Sequence, residues 1–159
     1  MNFRPNFVMT KDENGRPIED KSNRKYESVT RYMAKDLITF RPDQDINQVI
    51  ESMLDHEISG APVLNHNDEL VGIITEKDCL RVIIDVAYHN QPLSQSKVED
   101  YMTPVVKTIT PEHDVLDVAN EFLKSNFRRF PVVENGKLIG QVSRRDILKA
   151  AKNIESTTW

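Results

Sequence analysis

The sequence predicts an α+β fold, sandwich-like, built from two tandem β-α-β-β-α repeats related by a pseudo-two-fold. Three observations predict it. The chain repeats itself at an offset of 69 residues, so that Tyr32-Met33 returns as Tyr101-Met102 and Thr39-x-x-Pro42 as Thr108-x-x-Pro111. Each copy carries a helical stripe of apolar residues followed by two short runs rich in β-branched residues. Between the second pair of runs stands Asn135-Gly136, a strong hairpin signal because a type I′ turn needs positive φ at both central positions. With one residue dropped in the first copy's turn, about fourteen identities fall in each copy of roughly 50 residues, several times chance.

The elements follow in order. Residues 1–28 are polar, broken by Pro5, Gly15 and Pro17, and read as an extended or disordered arm. Repeat 1 occupies 29–90. A short strand over 37–40 is ended by Pro42. Asp45 then caps a helix, with Gln48 as its capping-box partner and Ile46, Val49, Ile50, Met53 and Leu54 as its apolar stripe. Strands over 61–64 and 70–74 flank a turn at Asn65-His66-Asn67-Asp68. Thr75 opens a second helix with Leu80, Val82, Ile83, Val86 and Ala87 inward. A polar linker, 91–97, leads to repeat 2 over 98–151, where Asp114 caps a helix carrying Val115, Val118, Ala119, Phe122 and Leu123. Ser143 opens the last helix, with Ile147, Leu148 and Ala151 inward, and 152–159 form a tail.

Composition narrows the function classes. The net charge of −4 implies no general nucleic-acid affinity, and no apolar run approaches membrane-spanning length. Residues 1–10 lack the apolar core of a secretion signal, which makes the cytoplasm the expected compartment. The single cysteine, Cys79, excludes an intramolecular disulfide and a multi-thiolate metal site. Its repeat 2 counterpart is Ile147, which marks the position as core and not as a nucleophile. The four histidines lack zinc-like spacing. No activated nucleophile is visible, so an enzyme is not expected.

The copies share polar residues as well as apolar ones. Gly72-Ile-Ile-Thr75-x-x-Asp78 matches Gly140-Gln-Val-Ser143-x-x-Asp146, and Gly60-Ala61-Pro62-Val63 matches Arg129-Phe130-Pro131-Val132. A repeated core needs only the apolar pattern, so a repeated Thr/Ser-x-x-Asp points to a repeated site. Two copies of three signatures, in order and in register, resemble a stand-alone CBS-domain pair, the two-repeat regulatory module often called a Bateman module. The resemblance covers roughly residues 29–151.

That resemblance implies clefts between the repeats that bind an adenine nucleotide, AMP, ADP or ATP, as a regulatory ligand, with no cofactor required. It implies that Asp78 and Asp146 meet ribose hydroxyls, with Thr75, Ser143 and the helix N-termini near phosphate. A carboxylate suits a vicinal diol because it offers two acceptor oxygens and no donor. Taken alone, Thr/Ser-x-x-Asp is also an ordinary capping box. Arg128, Arg129 and Arg144 are candidates for phosphate, since guanidinium groups make bidentate contacts. Candidates for the base are Ile38, Thr39, Ile58 and Ala61 in one cleft and Thr108, Phe127 and Phe130 in the other, and Gly60 counts among the ligand-binding residues without a part assigned to it. Repeat 1 has Ser59-Gly60 and Glu76-Lys77 where repeat 2 has Arg128-Arg129 and Arg144-Arg145, so the clefts should differ. A phosphate chain near the pseudo-two-fold could be reached from repeat 2 while the ribose belongs to Asp78. The resemblance further implies a homodimer, a disc of four repeats, and an effector protein acted on in trans. The alternatives are a structural dimerisation module with empty clefts, or a binder of S-adenosylmethionine or a metal ion.

Overall fold

The computed structural model describes residues 10–11, 17–18, 26–90, 92, 95–104 and 107–155. In the arm, β1 (Thr10–Lys11) pairs antiparallel with β2 (Pro17–Ile18). The rest of residues 1–25, and residues 156–159 of the expected tail, lie outside the described residues.

Capping chemistry sets the helix starts. Asp45 precedes α1 (Ile46–Asp55), and its carboxylate accepts from the Asn47 amide at 2.8 Å. The expected Gln48 partner takes no part in that cap; its side chain is exposed and accepts nothing from Asp45. In repeat 2 the reciprocal box does form, between Asp114 and Asp117 at the head of α4 (Val115–Lys124). Thr75 opens α2 (Glu76–His89), and α5 (Arg144–Glu155) follows Ser143. A short α3 (Val98–Tyr101) begins the second copy.

Two antiparallel hairpins form the sheets: β3 (Gly60–Leu64) with β4 (Leu70–Thr75), and β6 (Arg129–Glu134) with β7 (Lys137–Ser143). Asn135 and Gly136 both have positive φ, 51° and 78°, as the turn requires. The strand expected over 37–40 contracts to a single bridge, Phe40 with Val63, and its counterpart is Ile109 with Val132. The bridge is held by the Phe40 amide on the Pro62 carbonyl at 3.0 Å and the Leu64 amide on the Phe40 carbonyl at 2.9 Å. Pro42 follows and has no amide hydrogen to extend the ladder.

Each core is closed by the other copy's leading segment. The repeat 1 core of Phe40, Ile46, Val49, Val63, Ile74 and Val82 also takes in Val98 and Tyr101. The repeat 2 core of Ile109, Val118, Phe122, Phe130, Val132 and Val142 takes in Val29, with Met33 packed against it. Backbone pairing fixes the exchange. β5 (Thr103–Pro104) joins β4, while Ala34 bridges Gln141 of β7.

The helices correct the expected apolar faces in a consistent way. Ile46, Val49 and Met53 face inward on α1, but Leu54 is exposed. On α2 the buried residues are Asp78, Cys79 and Val82, whereas Leu80, Ile83 and Ala87, expected inward, are exposed. Leu123 on α4, and Leu148 and Ala151 on α5, also face out, and Ala150 takes the inward place. Periodicity identifies two adjacent apolar rows without saying which one meets the sheet.

Candidate functional site

The two signature aspartates are built identically. The Thr75 amide and hydroxyl both donate to Asp78 Oδ2 at 2.9 Å, and the Asp78 amide donates to Thr75 Oγ1 at 3.3 Å. In repeat 2 the Ser143 amide and hydroxyl donate to Asp146 Oδ2 at 2.8 and 2.9 Å, and the Asp146 amide returns to Ser143 Oγ at 3.2 Å. The capping box is therefore real in both copies. It engages only one carboxylate oxygen. Asp78 is buried at the head of α2, and its Oδ1 has the Arg81 guanidinium at 4.0 Å.

A cavity of about 550 Å³ opens beside this aspartate, within the size range of small-molecule sites. Repeat 1 contributes Thr75 and Asp78 to its lining, and repeat 2 contributes Phe127, Arg128, Arg129 and Phe130. β6 begins at Arg129, so the strand start and the Asn126-Phe127-Arg128 segment leading into it place the two arginines and both aromatic rings at one edge. The Phe127 and Phe130 rings stand 5.9 Å apart at 60°, and Phe130 stacks in turn on Phe122 of the core. A rigid inner ring thus supports an exposed outer one.

Arg129 crosses the pseudo-two-fold. Its Nη1 donates to the Gly60 carbonyl at 3.0 Å and its Nη2 to the Ser59 hydroxyl. Both acceptors are neutral. Among the described residues no carboxylate stands within ion-pair distance of Arg128 or Arg129. Burial pulls the Arg129 guanidinium below the ordinary arginine range; Glu76 works against that shift and Arg128 adds to it. Among the described residues the group is a half-buried cation with no carboxylate in ion-pair distance.

The other expected residues lie elsewhere. Gly60 meets the site through its carbonyl, and a Cβ on it would stand 3.4 Å from Arg129 Nη1. Arg144 lies outside the lining; its Nε donates to the Phe127 carbonyl at 3.1 Å and its amide to the Arg128 carbonyl at 3.2 Å, which braces the loop that carries both. Ala61 is buried in the repeat 1 core, and Ile58 packs against that core. Thr39 and Thr108 are exposed and do not line this cavity. Ser143 and Asp146 sit at the head of α5, outside it.

Sequence reading missed Arg81, Lys107 and the Thr103–Pro104 strand as lining groups. Arg81 sits one turn beyond Asp78, a spacing that faces the same side of a helix. Lys107 is tied to Glu121 of α4, whose carboxyl it holds below the ordinary range. Together the lining carries Lys77, Arg81, Lys107, Arg128 and Arg129 against Glu76 and Asp78, an anion-attracting cleft in a chain of net charge −4. Cys79, just behind Asp78, is no nucleophile: burial, then Asp78 and Glu76, push its thiol up to about 11.

Comparison with known proteins assigns the arrangement. The CBS domain family model matches residues 29–85 and 98–153. Protein MJ1225 of Methanocaldococcus jannaschii is 34% identical over 123 residues; the match takes in 77% of this chain and only 42% of that longer protein. The crystal structure of CBSX2 in complex with AMP superposes with a TM-score of 0.71 at 28% identity, over 81% of this chain and 98% of that one. The CBS domain pair of protein MJ0100, in complex with 5′-methylthioadenosine and S-adenosyl-L-methionine, gives 0.68 at 25% identity, over 81% and 98%. Matched twice along its length and folded as these pairs are, the chain belongs to the CBS-domain family.

Proposed function

We propose that this chain is a non-catalytic regulatory module that binds an adenine nucleotide, AMP, ADP or ATP, in the cleft beside Asp78 and passes its state to an effector protein in trans. The observation that carries the reading is the meeting, in one cavity, of the Asp78 carboxylate from repeat 1 with Arg128 and Arg129 from repeat 2, which have no carboxylate in ion-pair distance among the described residues. The ribose hydroxyls would donate to Asp78 Oδ1, the oxygen the cap leaves over. The phosphate would replace neutral acceptors around Arg129 with an anion, a stronger charge-assisted contact. The exposed Phe127 ring offers a face for the base.

Relatives support the ligand class, since one is crystallised with AMP and another with S-adenosyl-L-methionine and 5′-methylthioadenosine. Between these the lining favours a phosphate ester, because five cations against two carboxylates attract an anion and repel a sulfonium. Among the described residues no group of three His, Cys, Asp or Glu side chains is placed to hold a metal ion, and no helix is long and apolar enough to cross a membrane. As in the module it resembles, we take the working form to be two copies of the chain, a disc of four repeats.

Thermal-shift titration with AMP, ADP, ATP and S-adenosylmethionine tests the reading. A ligand with a Kd near 10 μM, present at about 1 mM, adds about 2.7 kcal/mol of stability. That corresponds to roughly 5–10 °C for a domain of this size. No shift with any of the three nucleotides at that concentration would remove the nucleotide reading and leave a module with an empty cleft.

A further inference from the structure

The five cations that line the cavity are held in different ways. Arg129 is fixed by two hydrogen bonds to neutral acceptors, the Gly60 carbonyl and the Ser59 hydroxyl. Arg81 faces Asp78, which lines the same cavity. Lys107 alone of the five is paired, among the described residues, with a carboxylate that is not part of the lining. Its ammonium donates to Glu121 Oε2, in the last turn of α4. A movement of Lys107 into the cavity therefore changes a contact outside it.

The backbones of both residues are anchored. Lys107 stands two residues before Ile109, which bridges Val132 of β6. Glu121 stands next to Phe122, whose ring stacks on Phe130 at 4.5 Å in the repeat 2 core. What is free to move is the lysine side chain, a compact charge on a flexible four-carbon stem with three rotatable donors. It keeps 42% of its exposure, and Glu121 keeps 21%. An ion pair this open to water is worth little. A terminal phosphate, with a charge of about −1.5 to −2, competes well for the ammonium. The exchange does not strand Glu121. Lys107 does most to hold that carboxyl below its ordinary range, against burial, but Lys124 and His113 add to the effect and stay behind.

We infer that Glu121 sets the affinity of this cleft for phosphate by withholding Lys107: the ammonium rests on Glu121 until a bound phosphate takes it over. Glu121 touches no ligand. It acts through Lys107 and is a positioning residue, one that tempers the positive excess of the lining. The inference rests on the reading of the cleft as a phosphate-ester site, and not on which base or how many phosphates the ligand carries. Two consequences separate this role from plain helix packing. Removing the carboxylate strengthens the binding of phosphate, because the lysine no longer has to be drawn away. That gain requires Lys107, because without the ammonium Glu121 has nothing to withhold.

Calorimetric titration of the full chain tests it, with adenosine, AMP, ATP and inorganic pyrophosphate as probes. The proteins are the wild type, Glu121→Gln, Lys107→Met and the double variant. Glu121→Gln should bind the three phosphate-bearing probes about 3- to 5-fold more tightly, the worth of an exposed ion pair, and adenosine as the wild type does. In the Lys107→Met background the same substitution should change affinity by less than about 1.5-fold, since its effect passes through the lysine. Unchanged or weaker phosphate binding by Glu121→Gln overturns the inference. So does an equal gain for adenosine, or a gain that persists without Lys107. If adenosine, AMP and ATP fail to bind while pyrophosphate binds more tightly to Glu121→Gln, the nucleotide reading falls and the role of Glu121 stands. If no probe binds any of the four proteins, both fall.

Discussion

The Met33 sulfur lies directly over Gly140. A Cβ at Gly140 would come within 2.5 Å of that sulfur and 2.8 Å of the Ala34 carbonyl. The pseudo-two-fold repeats the contact, with Gly72 under the Met102 sulfur at 2.8 Å and the Thr103 carbonyl at 2.9 Å. Each methionine leads one copy and covers a strand of the other. The repeated Tyr-Met and the repeated glycine are thus two halves of one contact.

Gly140→Ala and Gly72→Ala should each destabilise the protein by about 1–3 kcal/mol through overpacking. The sulfur can swing aside, but the Ala34 carbonyl accepts from the Gln141 amide at 2.9 Å and does not yield cheaply. Urea unfolding midpoints check this. A neutral Gly140→Ala would mean that the leading segment is not held against β7.

The two aspartates should separate cap from ligand. Asp78→Asn and Asp146→Asn should each lose up to about 1 kcal/mol of stability, because both capping boxes have the same geometry. Only Asp78→Asn should weaken nucleotide binding, by roughly 10- to 100-fold, the worth of a hydrogen bond to a charged acceptor. Calorimetric titration of both variants with AMP measures it; equal affinity losses would tie binding to helix stability alone.

The cations and Glu76 should set phosphate preference. Arg129→Ala should cost about 10-fold or more in affinity, and binding should weaken with added salt. Glu76 lines the same cavity and opposes each added negative charge. Glu76→Gln should therefore improve ATP and ADP binding several-fold more than AMP binding, since a unit charge at close range in water is worth about 1 kcal/mol. Equal changes for all three nucleotides would place Glu76 away from the phosphate chain.

Cys79 should make the fold sensitive to alkali. Its thiol is pushed up to about 11, so the unfolded chain loses that proton at lower pH than the folded one. The contribution is complete below pH 8 and is lost as pH rises from about 9 to 11, up to roughly 2 kcal/mol. The stability difference between wild type and Cys79→Ala, measured at pH 8 and pH 10.5, should move against the wild type by that order. A pH-independent difference would show a thiol that titrates alike in both states.

Much of this was legible in the sequence because its causes are local. Asn135-Gly136 dictates its turn by its own φ preferences, and Thr75-x-x-Asp78 and Ser143-x-x-Asp146 form their caps within one helical turn. What was not legible depends on distant partners. Leu54, Leu80, Leu123 and Leu148 belong to apolar stripes, but only the packed sheet decides that they face out. Lys107 enters the cavity because β5 joins β4 of the other repeat, and that pairing leaves no trace in spacing. Arg129 was legible as a cation; its neutral partners across the axis, Gly60 and Ser59, were not.

The unit that recurs in the sequence is not the unit that closes in space. Val29 and Met33 complete a core made some eighty residues downstream on the same chain, and Val98 and Met102 complete the earlier one. Joining the old termini and reopening the chain after Ala34 would give a circular permutant in which each half encodes its own finished core. The natural order instead makes each half an unfinished one, so severing the linker should yield two fragments that fold only by complementing each other.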